Sequence, residues 1–339
     1  MDPATMKQLA LVAVPPLVIG FFVALSAWWR AGRANVGRAN VGRANVGRAN
    51  RQAEGPAGTL IFRKAYWAIP LAAGLTYAIF QPVALSRLPW PMTSSQDRPI
   101  VAAIVATILA VLALAVRFNV WGRWAGRLFA TAGVGAFIAW SPLTNRWSTQ
   151  EALLTLGGFV VATLVTWWAL ERVADFDLSK EPNESRRSGG FSAAMVGSAV
   201  AGAAANAMVI TFSSLSLAQL AGILAMFMIG VAAAALIRPR LSIGFGTAHV
   251  VALVTQSIML AGMITTSTPF ERAYPWLVAL VAIAAVLVDE VFLKDGMARA
   301  GLPGRLPTWV HGLARVLAAA AIVGVTMGLA LANMPSFEY

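Results

Sequence analysis

Apolar residues in this chain run in long blocks, separated by short polar or charged stretches. The blocks cover residues 8–29, 66–85, 100–116, 128–140, 152–170, 191–212, 217–237, 241–265, 275–293 and 309–333. A helix that crosses a bilayer needs roughly 20 apolar residues, with a range of about 17 to 25. Helices satisfy every backbone hydrogen bond internally, which a bilayer demands. The pattern therefore predicts an all-α, polytopic transmembrane helix bundle of about ten spans. The block at 128–140 is short, so it is expected to extend to Pro142 or to sit partly within the bundle. Pro15 and Pro16 near the middle of the first block predict a kink.

The polar stretches divide the chain into a first span (1–29), a basic loop (30–64), the rest of a first helical half (65–170), a charged connector (171–190) and a second half (191–339). The basic loop carries a five-residue repeat. Val36-Gly37-Arg38-Ala39-Asn40 recurs from Val41 and from Val46, after a partial copy at Gly32–Asn35. That period fits neither helix nor strand, and the repeat has few bulky apolar residues to bury, so weak structure is expected. Its arginines suit a lipid-headgroup tether, and a neutral loop expansion is the plainer alternative. A mid-chain connector between two halves with an odd number of spans each would make the halves opposite in orientation, as in many carriers built on inverted repeats. The two halves show no convincing similarity in sequence.

Composition strengthens the membrane reading. Hydrophobic residues make up 58% of the 339 and charged ones 12%, against about 25% charged in soluble domains. The net charge is +12. Those cations lie in short loops between apolar blocks, with no nucleic-acid motif, so the partner they imply is a bilayer with anionic headgroups rather than nucleic acid. Positive loops stay in the cytoplasm. With the basic loop placed inside and the spans alternating, twenty Lys and Arg fall on inner segments and five on outer ones. Arg315 lies within the last span, which completes the 26. Arg117, Arg123 and Arg127 count among the inner-loop cations, and Glu171 opens the solvated connector. Both termini then face outward, in a cell inner (cytoplasmic) membrane. The alternative is that residues 8–29 are a cleaved signal peptide, which would reverse the whole arrangement. Tryptophans near the block ends, including Trp28, Trp29, Trp67, Trp90, Trp140, Trp276 and the pair Trp167-Trp168, fit an interfacial belt.

Charges inside spans are the default functional candidates, because each costs at least about 2.5 kcal/mol unless paired or wetted. Asp289 and Glu290 lie near the inner end of the ninth block. His311 and Arg315 share a face at the start of the tenth, and His249 lies near the start of the eighth. Arg315 is expected to pair with Asp289 or Glu290, with the histidines near by. The result would be either a cytoplasm-facing polar pocket or a structural ion pair between helices. A second, neutral set comprises Asn206, Thr211, Ser213, Ser214, Gln219, Gln256 and Ser257. Of these, Asn206, Gln219 and Gln256 are candidates to line a solute path, with interhelical hydrogen bonding as the ordinary alternative. Ser198 with Gly202, and Gly324 with Gly328, have the four-residue spacing of close helix packing, within the bundle or across a homo-oligomer.

With no cysteine and two histidines, thiol chemistry and a multi-histidine metal site are not expected. No nucleotide-binding, zinc-protease or serine-hydrolase motif occurs, and no cofactor is implied. The leading expectation is a permease-like carrier of a small solute. The alternatives are a non-catalytic membrane subunit or scaffold that acts through a partner subunit, and an intramembrane or lipid-active enzyme that uses His249, His311 and Asp289-Glu290 as acid and base.

Overall fold

A computed structural model describes residues 3–43, 67–88, 90–92, 94–115, 120–175, 189–210, 212, 214–237, 246–264, 274–288 and 308–332. Among these residues the fold is all-helical. The elements are α1 (Pro3–Arg43), α2 (Ala68–Leu85), α3 (Pro99–Ala115), α4 (Val120–Ile138), α5 (Trp140–Asn145) and α6 (Thr149–Asp175). The second half supplies α7 (Gly189–Ile210), α8 (Leu215–Ile237), α9 (Thr247–Met263), α10 (Tyr274–Leu287) and α11 (Thr308–Ala332).

The bundle is built around α9. Every residue from Thr247 to Gly262 is buried, and α9 touches α2, α3, α4, α6, α7, α8 and α10. Its polar residues, among them His249, Thr255, Gln256 and Ser257, are enclosed along with its apolar ones. The antiparallel pair α7 and α8 packs on one side, and α1 lies along α8. On the other side α6 meets α4, α9 and α10, while α11 closes against α7 and α10.

Five helical segments are long and apolar enough to cross a membrane: Ala10–Arg30, Ala68–Leu85, Thr149–Ala174, Phe191–Val209 and Leu215–Ile237. Shorter apolar helices occupy Pro99–Leu112, Thr247–Met263, Val278–Leu287 and Leu313–Val325. The outer faces are apolar too. On α1, Leu11, Val14, Val18 and Phe22 recur at helical spacing and are 41 to 61% exposed. A continuous stripe of this kind suits hydrocarbon and would be a liability in water.

Three elements correct the sequence reading. The first helix does not stop at Trp29 but continues through the first full copy of the repeat to Arg43. Alanine and arginine are good helix formers, and they outweigh the cost of the repeat's glycines. The short fourth block gains its length at the opposite end from the one expected. It begins at Val120, so Arg123 and Arg127 are helical, and the segment around Pro142 forms the separate one-turn α5. Likewise α6 runs on through Glu171 to Asp175. Its start is fixed by a capping box. The Glu151 amide donates to Ser148 Oγ (3.3 Å), and the Ser148 amide donates to Glu151 Oε2 (3.0 Å).

Close helix approach is not where the small-residue spacing pointed. A β-carbon added at Gly324, Gly328 or Gly202 would meet no atom of a neighbouring element among the described residues within 4 Å. At the α1–α8 crossing, by contrast, Gly20 lies against the Phe227 carbonyl and Gly230 against the Leu17 carbonyl. The two glycines are reciprocal, each admitting the other helix's backbone.

Candidate functional site

The polar residues of the interior gather along the seam where α9 faces α6 and α4. At one end Arg127 of α4 forms an ion pair with Glu171 of α6. Arg127 is 5% exposed and Glu171 8%. Two indole rings sandwich the guanidinium, with its carbon 5.0 Å from the ring centre of Trp124 and 4.9 Å from that of Trp167. Arginine tolerates this setting because its planar, weakly hydrated cation stacks on aromatic faces. His249 of α9 completes the cluster. Its ring meets Trp167 edge-on at 4.2 Å, and Nδ1 stands 3.9 Å from Glu171 Oε1. That separation permits electrostatic attraction but exceeds hydrogen-bond reach.

Further along the seam, Gln256 Nε2 donates to Thr166 Oγ1 at 3.2 Å, with both residues fully buried. Thr163 and Thr166 donate their own hydroxyl protons to carbonyls four residues back, at 2.7 Å each. That is the usual way for a helix to satisfy a buried threonine. Thr131 on α4 and Thr255 and Ser257 on α9 behave differently. They are fully buried, yet their hydroxyls have no hydrogen-bond partner among the described residues. An unmet buried hydroxyl costs about 1–3 kcal/mol, so these groups hold hydrogen-bonding capacity in reserve. Past Leu260, the seam opens into a cleft of about 210 Å³ between α6, α9 and α10, lined by Leu154, Thr155, Gly158, Phe159, Leu260, Met263 and Trp276.

The sequence candidates fall into this picture unevenly. His249 and Gln256 lie on the seam. Arg315 is 2% exposed, as a residue inside a span should be, but its Nη1 donates to Ser192 Oγ of α7 at 3.2 Å and so ties α11 to α7. Asp289 and Glu290, its expected partners, lie outside the described residues, as do Thr211 and Ser213. His311 belongs to the first turn of α11, and its side chain is outside the description. Gln219 is buried in α8 and Asn206 half-buried in α7. Ser214 caps α8, its Oγ accepting from the Leu217 amide at 3.4 Å.

The chain matches no known protein family model and no curated protein sequence.

The ion pair and its indole escaped the sequence reading, as did the threonines Thr131, Thr163, Thr166 and Thr255. Arg127 and Glu171 were placed in polar loops and Trp167 in the interfacial belt, whereas Trp167 is fully buried. The usable signal was spacing. Trp167 and Glu171 are four residues apart, as are Arg127 and Thr131 on α4, so each pair shares a helix face once the helices are allowed to run on. Among the described residues no three His, Asp or Glu gather to hold a metal. Glu171 and His249 supply two donors, and the neighbouring guanidinium opposes a further cation.

The opposite end of the bundle has its own polar cluster, in the α2–α3 connection. Asp97 is fully buried and accepts from Arg87 Nη2 (2.8 Å) and from the Ser94 amide and hydroxyl (3.0 Å each). Gln81 Nε2 donates to the Asp97 carbonyl at 3.0 Å. Arg98 donates to the carbonyls of Phe137 and Ile138, the last of α4, at 3.1 and 2.9 Å. A cation there answers the negative helix end. These contacts fold the connection into a fixed cover.

Proposed function

We propose that the chain is a multi-pass membrane carrier of a small solute, with about ten spans, and that the solute passes along the α6–α9 seam. The observation that carries this reading is the pair of buried hydroxyls, Thr131 on α4 and Ser257 on α9, that lack partners among the described residues and lie beyond the ion-paired end. A purely structural helix seam would be expected to satisfy those groups as Thr163 and Thr166 are satisfied. In this reading Gln256 and Ser257 contact the solute. Arg127, Glu171 and His249 form the barrier toward the cytoplasm, which opens when the ion pair is exchanged for solute or water. A duplicated, inverted arrangement of the halves fits the way α9 packs on α3 and α8 on α2, since the eighth block would then match the third and the seventh the second.

A second reading has one observation in its favour. The Arg127 guanidinium is enclosed by two indoles and a carboxylate, as in an ion pair that pins α4 to α6 in a non-catalytic scaffold. The acid–base enzyme reading gains no support from the 3.9 Å gap between His249 and Glu171.

The native chain has no cysteine, so one test separates the two. Ser257→Cys, buried and mid-seam, is exposed to a small membrane-impermeant thiol reagent in proteoliposomes. A carrier must wet this position at some stage of its cycle, so labelling is expected from at least one side, and a transported solute should slow it. A folded protein that stays unlabelled from both sides rules out passage along α9 and leaves the scaffold.

A further inference from the structure

The cleft at the outer end of the seam is open on the side where α6 faces away from the bundle. Leu153 and Leu154 beside it are 70% and 65% exposed, and Trp276 on its rim is 41% exposed. Its floor is Leu260 and Phe159, which are 0% and 3% exposed. Depth decides what such a cleft can meet. Met263 is the last residue of α9 and Trp276 the third of α10, so the mouth lies within a turn of the helix ends. Thr155 and Phe159 lie about 9 and 15 Å along α6 from Thr149 at ~1.5 Å per residue. A hydrocarbon core is about 30 Å thick, so the floor lies among acyl chains and the mouth near the headgroups. The volume of about 210 Å³ exceeds the roughly 150 Å³ apolar cavity that accepts benzene. The lining is apolar apart from the Thr155 hydroxyl and the Trp276 indole.

We propose that this cleft binds a hydrocarbon chain from the adjoining leaflet, with Trp276 at the headgroup level and the tail reaching Phe159. Continuity with the lipid-facing side of α6 identifies the occupant. A lipid tail enters there without leaving hydrocarbon, whereas a polar solute would have to leave water. The proposal needs only a bilayer and stands apart from the solute reading.

The protein is reconstituted in vesicles of phosphatidylcholine with a photoactivatable diazirine in the upper half of one acyl chain, then irradiated and digested. Ile79 serves as the annular control, since it is 62% exposed on α2 and six residues from that helix's outer end. Phe159 lines the cleft and is 3% exposed, so a tail inside the cleft meets it and a lipid lying outside the bundle does not. Bound tail should label Phe159, Met263 and Trp276 several-fold more than Ile79. Gly158→Phe fills the cleft from α6, where an added β-carbon meets only the Trp276 indole nitrogen at 3.8 Å, and should return labelling to the control level. Met263→Trp fills it from α9 and should act alike if Gly158→Phe does not fold. Phe159 labelling no greater than at Ile79, or labelling that persists in a folded filled variant, overturns the proposal.

Discussion

Arg127 and Glu171 show how one pair of residues can look harmless in a sequence and govern a fold. Each sits at the edge of an apolar block, where a charge is ordinarily a solvated loop residue. Moving one boundary on each of two helices brings both inside. Once both are buried, their energetics are asymmetric. Removing one partner of a buried pair strands a charge at about 3–5 kcal/mol, while replacing both with apolar side chains is often neutral or stabilising. Arg127→Met and Glu171→Gln should therefore each lower the melting temperature in detergent strongly, and the double variant should recover much of the loss. Additive losses in this double-mutant cycle would show that the pair does not hold α4 to α6. His249 and Gln256 were legible from sequence because they interrupt apolar blocks at their middles or starts. Trp167 was not, since an indole near a block end is equally at home in a headgroup layer or stacked on a buried guanidinium. Only the partner, forty residues upstream on another helix, distinguishes the two.

At the level of elements, the blocks themselves were readable because hydropathy over a span is a sum of many like terms. Their ends were not, because one arginine or glutamate at a boundary changes that sum little. Close packing was harder still. The four-residue spacing of Gly324 and Gly328 is common in membrane helices, and a β-carbon at either meets nothing of a neighbouring element among the described residues. The glycines that matter, Gly20 and Gly230, have the same spacing to Ala24 and Ala234, but a small residue four positions on is too common in these alanine-rich helices to single them out. A β-carbon at either would run into backbone, which cannot swing aside as a flexible side chain can. Gly20→Leu and Gly230→Leu should thus separate α1 from α8 and cost more than the 1–3 kcal/mol typical of overpacking, seen as loss of folded protein on size-exclusion or in thermal melts. Gly324→Leu and Gly328→Leu should leave melting within about 1 kcal/mol, the ordinary range for a position with room. A strong loss at those two sites would instead place them in a contact between copies of the chain.

For the whole molecule, the distribution of buried charge bears on how the helices alternate. Arg127, Glu171, His249 and Arg315 lie in different helices, yet each is within about 12 Å of the helix end that the loop charges assign to the cytoplasm, at ~1.5 Å per residue. Moving Arg127 from loop to helix removes one cation from the inner tally, but the inner excess remains. The other end holds Asp97 with Arg87 and the carbonyl-capping Arg98, so two of the few outer cations are already engaged in the fold. A side chain there need not remain cytoplasmic to be satisfied, which reconciles these arginines with an outward placement. The cysteine-free chain makes the orientation directly measurable. Single cysteines at Leu88, in the α2–α3 connection and 75% exposed, and at Ser336 should react with an impermeant maleimide added to intact cells. Cysteines at Asn45 and Ser185 should react only after the membrane is opened. If Asn45 and Ser185 react in intact cells while Leu88 does not, the bundle sits the other way up and the first helix has behaved as an exported segment. If Leu88 and Ser336 fall on opposite sides, the number of crossings between them is odd, and an orientation built on alternating spans cannot hold.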